Sequence, residues 1–158
     1  MLLNVKELSI EIGKGVMGNL SQNFSSEEFF CGCCNEGIPK QKLIDILETG
    51  RFILADRMHP APVKIVISGR LRCVAHALDL QTKGIGVGLK SRHVFPQHAD
   101  GVDIKAYSQI PSGDWLQINP DEVYKIFDDL IGDLGGVGKY EGRTHVDVRG
   151  HKARWDNT

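Results

Sequence analysis

Within SRHVFPQHADGVDIKAYS, Ser91 to Ser108, two histidines and two aspartates fall where a loop turns into a strand, and a third histidine, His145, opens the run HVDVR near the end of the chain. Imidazoles and carboxylates are the ligands that divalent cations take in water. Three such donors with a fourth position open describe a catalytic zinc site, and the lack of a thiolate among them suits zinc better than metals that favour softer ligands. Asp103 lies at the start of a strand, between Val102 and Ile104, so its carboxylate points away from them. In Thr144–Arg149 the side chains alternate, so His145, Asp147 and Arg149 share one face while Val146 and Val148 take the other. Taken alone, that polar face also suits a strand that is simply solvated. Combined with a histidine from the loop before Asp103, it supplies a three-donor set.

The rest of the chain has to position these groups. Its 158 residues suffice for one domain with a real core, taken as residues 1–158 with residues 1–19 as a peripheral N-terminal arm. The net charge of −1, with both signs interspersed, offers no electrostatic case for a nucleic-acid or membrane-surface partner. The opening MLLNVKELSIEIGKGVMGN lacks the features of an export signal, and no later run approaches the ~20 apolar residues of a membrane span. A soluble product made in the cytoplasm is expected.

Cys31, Cys33, Cys34 and Cys73 are too few and too clustered for a disulfide scaffold, so reduced thiols are the default. The CGCC cluster could join Cys73 in a structural zinc site, against which stand the rarity of adjacent cysteines on one ion and the lack of a CxxC pair.

Helix signals are clear at three places. Ser25 and Glu28 form a capping box, with Phe24 packing on Phe29, at the start of a short helix that CGCCNEGIP breaks. Pro39 to about Met58 carries an apolar stripe at helical spacing. Pro120 follows Asn119 at a helix start, and Val123, Ile126, Phe127, Leu130, Ile131 and Leu134 continue the stripe to a Gly135-Gly136 stop. Arg72 to Leu80 is expected as a second short helix. Strands are expected at Val63–Ile67, Gly101–Tyr107, Val137–Tyr140 and Thr144–Arg149. Two adjacent strands closing the chain after a helix favour an α+β domain, with helices on one face of a largely antiparallel sheet. GIGVG lacks the βαβ setting of a nucleotide loop. His59 is expected at the surface, His76 in a structural role, His151 near the rim and Trp155 closing the core.

The segments IVISGRLRCVAHA, SRHVFPQHADGVDI and GGVGKYEGRTHVDVRGHKARW, with NFSSEEFFCGC before them, resemble the zinc D-alanyl-D-alanine carboxypeptidase-like peptidases over most of the chain from Leu20 onward. That superfamily includes phage endolysins, vancomycin-resistance dipeptidases and, by shared fold, the hedgehog signalling domain. The resemblance implies a hedgehog/DD-peptidase-like fold and zinc held by His93, Asp103 and His145. The family's Ser-x-His and Gly-x-Ala-x-Asp motifs fit Ser91-Arg92-His93 and Ala99–Asp103, but His93 and Asp103 stand three residues further apart than in the family, implying an insertion around Pro96-Gln97-His98. The family's own spacing would select Asp100, and His98 competes with His93; Asp103 is preferred because insertions belong in loops.

Arg72 matches the arginine of the family's SGYR motif, with Arg70 as competitor, and is implied to bind the substrate near the scissile carbonyl, a task for which a guanidinium fork suits an oxygen pair. Ser91 is placed beside it as a substrate-binding residue. Related enzymes carry an acid three positions before the last histidine, where this chain has Gly142. Asp147 and then Glu141 are the alternatives for the general base, Asp147 also being near enough to act as a partner of His145. The implied function is a zinc peptidase hydrolysing peptidoglycan stem peptides, as a monomer, in a phage or prophage enzyme that reaches the wall after release or as part of a virion. The alternative is a non-catalytic zinc-binding module of the same fold.

Overall fold

The β-branched run that begins at Val63 forms β1 (Val63–Gly69), whose alternate residues Val63, Ile65 and Ile67 are buried while Lys64 and Val66 face outward. The structure, a computed structural model, describes residues 18–158; the expected arm over residues 1–19 therefore lies, but for its last two residues, outside the described residues. Around β1 the chain runs through α1 (Gln41–Met58), α2 (Val74–Thr82), β2 (Gly101–Gln109), β3 (Trp115–Gln117), α3 (Pro120–Ile131), β4 (Gly136–Tyr140), β5 (Arg143–Asp147) and β6 (Ala153–Asn157). The architecture is α+β, as expected.

The strands form one mixed sheet in the order β1-β2-β5-β4-β6, with β3 pairing the far end of β2. Every pairing is antiparallel except that of β4 with β6. One face of the sheet presents Ile65, Ile67, Val102, Ile104, Val137 and Val146 to α1 and α3, and these side chains join one apolar core. Burying each such side chain contributes about 1.5–3 kcal/mol. Helix α2 stands apart from the sheet, against the short turn Gly88–Lys90.

Local signals hold where they rest on close neighbours. The Glu28 carboxylate accepts from Ser25 N–H at 2.8 Å, and the Phe24 and Phe29 rings meet edge to face, although the helix they start is a single 3-10 turn, Ser26–Glu28. Asn119 caps α3 by accepting from Asp121 N–H at 2.9 Å. The stripe of α3 ends earlier than its periodicity predicts. Gly132 takes a left-handed φ of 54° and stops the helix, so Leu134 lies exposed in the following turn and Gly135-Gly136 is not the cap. Phe127 seats its ring against Gly50 of α1, where a Cβ would lie 2.2 Å from the ring carbon Cζ. β3 and β6 were not expected: both are short and half-polar, without the alternation that marks a strand.

Candidate metal centre

The residues that matter lie on the sheet face opposite the helices, in one row across five strands. The register pairs Gly69 with Asp103, Asp103 with His145, His145 with Gly138, and Gly138 with Trp155. Asp103 and His145 thus come from neighbouring strands as a directly opposed pair, whose side chains lie within reach of each other. Glycines on both flanks make room. A Cβ at Gly69 would sit 2.4 Å from Asp103 Oδ2, and one at Gly138 would sit 2.2 Å from the Trp155 ring. Trp155, exposed in part, lies over Gly138 with its ring 5.0 Å from that of His145; it walls the site and does not close the core.

The third donor arrives from the loop before β2. Arg72 N–H donates to His93 O at 2.9 Å and Phe95 N–H donates to Arg72 O at 3.0 Å, tying this loop to the segment after β1. His93 Nε2, His145 Nδ1 and Asp103 Oδ1 then converge: 3.2 Å between the imidazoles, 3.0 Å from His145 to Asp103, and 3.5 Å from His93 to Asp103. Donors held 2.0–2.2 Å from a tetrahedral ion lie about 3.3–3.6 Å apart. All three residues are buried.

The far side of each ligand decides what faces the centre. His93 Nδ1 lies 3.0 Å from the Arg70 carbonyl, an acceptor only, so that nitrogen carries the proton and Nε2 presents a lone pair. His145 Nε2 lies 2.9 Å from Asp147 Oδ2 and donates to it, leaving Nδ1 as a lone pair. Asp103 Oδ2 turns toward Arg143 Nε at 3.3 Å. Three lone pairs therefore point at one spot, an arrangement that repels itself unless a cation occupies it. A proton is the alternative occupant: burial pulls His145 down, but hydrogen bonds and charge from Asp103 and Asp147 outweigh this and raise it. Burial likewise pushes the Asp103 carboxyl up, and the two imidazoles overcome it, holding the group well below the usual carboxylate range.

Asp147 sits behind the ligands. It is fully buried, accepts from Gly136 N–H at 3.0 Å, and is gripped by Arg149 Nε at 2.8 Å and Nη2 at 2.5 Å as well as by His145. Burial pushes its carboxyl up; the His145 and Arg149 bonds hold it well below the usual range. Both oxygens are engaged away from the donor cluster, so its geometry is that of the partner that orients His145, the second of its two expected roles. Glu141 is exposed in the β4–β5 turn and does not line the cavity. Asp100, the competing carboxylate, is bound by Arg92 and by Lys40 at 3.2 Å. Neither it nor His98 belongs to the donor group, and the extra residues around Pro96–His98 form a turn.

A cavity of about 640 Å³ opens over the three donors. Among the described residues its lining is strongly cationic, and Asp103 is its one carboxylate. Three of its arginines are neutralised: Arg92 by Asp100, Arg143 by Asp103 and Arg149 by Asp147. Arg72 and Lys90 have no acidic partner among the described residues. Ser91 lines the cavity too, its Oγ accepting from His93 N–H at 3.4 Å. Arg70 is exposed and contributes its carbonyl. Sequence reasoning missed Lys90, Tyr140 and Arg143. Arg143 was within reach of the same alternation that singled out His145, since it stands two residues earlier on that face; its guanidinium also lies 4.4 Å over the Tyr140 ring.

Comparison with known proteins adds no identity: no family model, curated protein or solved structure matches the chain.

Proposed function

We propose that this chain is a zinc-dependent peptidase that hydrolyses peptidoglycan stem peptides, with His93, Asp103 and His145 as the zinc ligands. The observation that carries the reading is the convergence of three buried lone pairs beneath a cavity lined by Arg72 and Lys90, two cations without an acidic partner among the described residues. Two imidazoles and one carboxylate are a donor set that zinc accepts, with a fourth position left for chemistry. When bound, zinc supplies Lewis acidity, lowering the pKa of water toward ~7 and polarising a carbonyl.

The chain's own residues supply the rest. Arg72 offers a planar fork to a carboxylate or carbonyl oxygen, and Lys90 a point charge to the same anion. A substrate with a free carboxylate near the scissile bond, such as a peptide ending in D-alanine, matches that pair; the D-alanyl assignment rests on the sequence resemblance, as does a phage or prophage setting. Asp147 and the Arg70 carbonyl hold the two imidazoles in the tautomers that present lone pairs to the centre. Glu141 is the proton acceptor this reading retains, because Asp147 is committed to His145 and Arg149; it stands outside the cavity lining, on the turn that places Tyr140 and Arg143 on the cavity wall, so the role requires that turn to bring its carboxylate inward.

One observation favours a second reading. With Asp103 the one carboxylate lining the cavity among the described residues, the same residues suit a zinc-binding module that recognises an anionic partner without cleaving it. The deciding experiment is digestion of purified peptidoglycan with mass spectrometry of the muropeptides, with and without chelator, for the wild type and Glu141→Gln. Chelator-sensitive peptide cleavage, lost in Glu141→Gln with zinc content unchanged, supports the peptidase. Unchanged muropeptides with wild-type protein carrying zinc would leave the binding module.

A further inference from the structure

A second cluster of metal-binding groups lies outside the cavity. The turn after the first 3-10 element brings Cys31, Cys33 and Cys34 against Cys73, which caps α2, and the four sulfurs all lie within 4.8 Å of one another. Cys33 Sγ is 3.2 Å from Cys73 Sγ and 3.6 Å from Cys31 Sγ. Thiolates held about 2.3 Å from a tetrahedral zinc lie about 3.8 Å apart, whereas a disulfide requires about 2.05 Å. His76 joins them. Its Nδ1 lies 3.3 Å from Cys31 Sγ, and its backbone N–H donates to Cys73 Sγ at 3.4 Å, a bond that favours a sulfur carrying negative charge. Cys73-x-x-His76 on the first turn of a helix is a metal-binding spacing, and the N-terminal end of that helix favours a thiolate.

We propose that Cys31, Cys33 and Cys73, completed at the fourth corner by His76 or Cys34, bind a structural zinc ion. The site is closed, with four protein donors and no face on the cavity, as structural zinc sites are and catalytic ones are not. It joins two segments distant in sequence, the turn at Cys31–Asn35 and the connection from β1 to α2. That connection carries Arg72, whose neighbours are held on either side: Leu71 N–H donates to Phe29 O at 3.1 Å, and Cys73 belongs to the thiol cluster. The ion therefore fixes the backbone from which Arg72 reaches the cavity. The ion itself does not depend on the peptidase reading; the consequence for Arg72 does.

The test is metal analysis of untagged protein prepared with a reductant. About two zinc ions per chain are expected, one of them released by an organomercurial that reacts with thiolates. Cobalt substitution gives a second readout, a thiolate-to-metal charge-transfer band. The band should persist in His145→Ala, which empties only the cavity site, and vanish in Cys73→Ser. Comparing Cys34→Ser with His76→Ala identifies the fourth donor, since one should weaken cobalt binding and the other leave it intact. Four freely titrating thiols in native, zinc-loaded protein, or a disulfide within the cluster found by non-reducing peptide mapping, would overturn the proposal, and neither observation requires a variant to fold. Zinc that is wholly mercurial-releasable would uphold this site while removing the cavity ligands, so the two readings fail separately.

Discussion

The cavity centre and the thiol cluster use opposite means to bring ligands together. In the first, two donors come from adjacent strands of a packed sheet, every ligand is held from behind, and one side stays open to a 640 Å³ cavity. In the second, the candidate donors come from a turn and a helix start, sulfur predominates, and the proposed ion would leave no corner for substrate. A sheet row fixes geometry through the register of many hydrogen bonds, which suits a centre that must hold its shape while substrate comes and goes. A turn is fixed by little of its own, so there the ion would do the fixing, and binding energy becomes folding energy.

That contrast can be broken most forcefully at the cavity ligands. His145→Ala or Asp103→Asn should reduce cavity zinc to background and abolish peptide cleavage, while the melting temperature of the scaffold changes less than on loss of Cys73. The check is zinc content beside calorimetry; a larger thermal loss for His145→Ala than for Cys73→Ser would reverse the structural and functional assignments. Next, Arg72→Ala should lower kcat/KM on the order of 10²-fold with zinc content unchanged, and Arg72→Lys should restore only part of it, because a lysine lacks the planar fork. Steady-state kinetics with a defined stem peptide measures both.

Asp147→Asn sharpens the comparison from behind the ligands. Weakening the group that orients His145 should reduce zinc affinity about 10–100-fold while leaving mercurial-releasable zinc untouched, as read by competition with a chromophoric chelator. If cleavage vanished with zinc affinity intact, Asp147 would be the base after all.

The smallest effect is expected at a site in neither region. Glu48 on α1 accepts from Ser21 Oγ at 2.6 Å and from Asn23 N at 2.8 Å, anchoring the start of the described chain. Burial pushes its carboxyl up, but these bonds and Arg51 bring it below its ordinary value. A depressed folded pKa means that the stabilisation is present above the unfolded value, ~4.3, and is lost as pH falls through the folded one. Glu48→Gln should therefore cost about 1 kcal/mol in urea unfolding at pH 7, a difference that narrows below pH ~4.

Much of the scaffold was legible because it depends on residues close in sequence. The capping box at Ser25 and Glu28, the β-branched strand at Val63, the buried stripe of α3, and the shared face of His145 and Asp147 all follow from period and neighbour chemistry. Where α3 ends was not, since the stripe continues to Leu134 while Gly132 turns the backbone away. β6 was missed because its ladder lies with β4, far from any pattern within Ala153–Asn157. His76 was read as structural; only its distance to Cys31 made it a candidate ligand.

By itself, the order of amino acids determined which donors exist and which strand face His145 and Asp147 share, because side-chain alternation is a property of a few consecutive residues. Tertiary structure alone decided that Asp103 stands opposite His145, that the loop bearing His93 docks on the Arg72 segment, and that Asp147 faces away from the centre. Those outcomes depend on register and loop closure between segments dozens of residues apart, and no local spacing specifies which of the available lone pairs end up within 3.5 Å of one another.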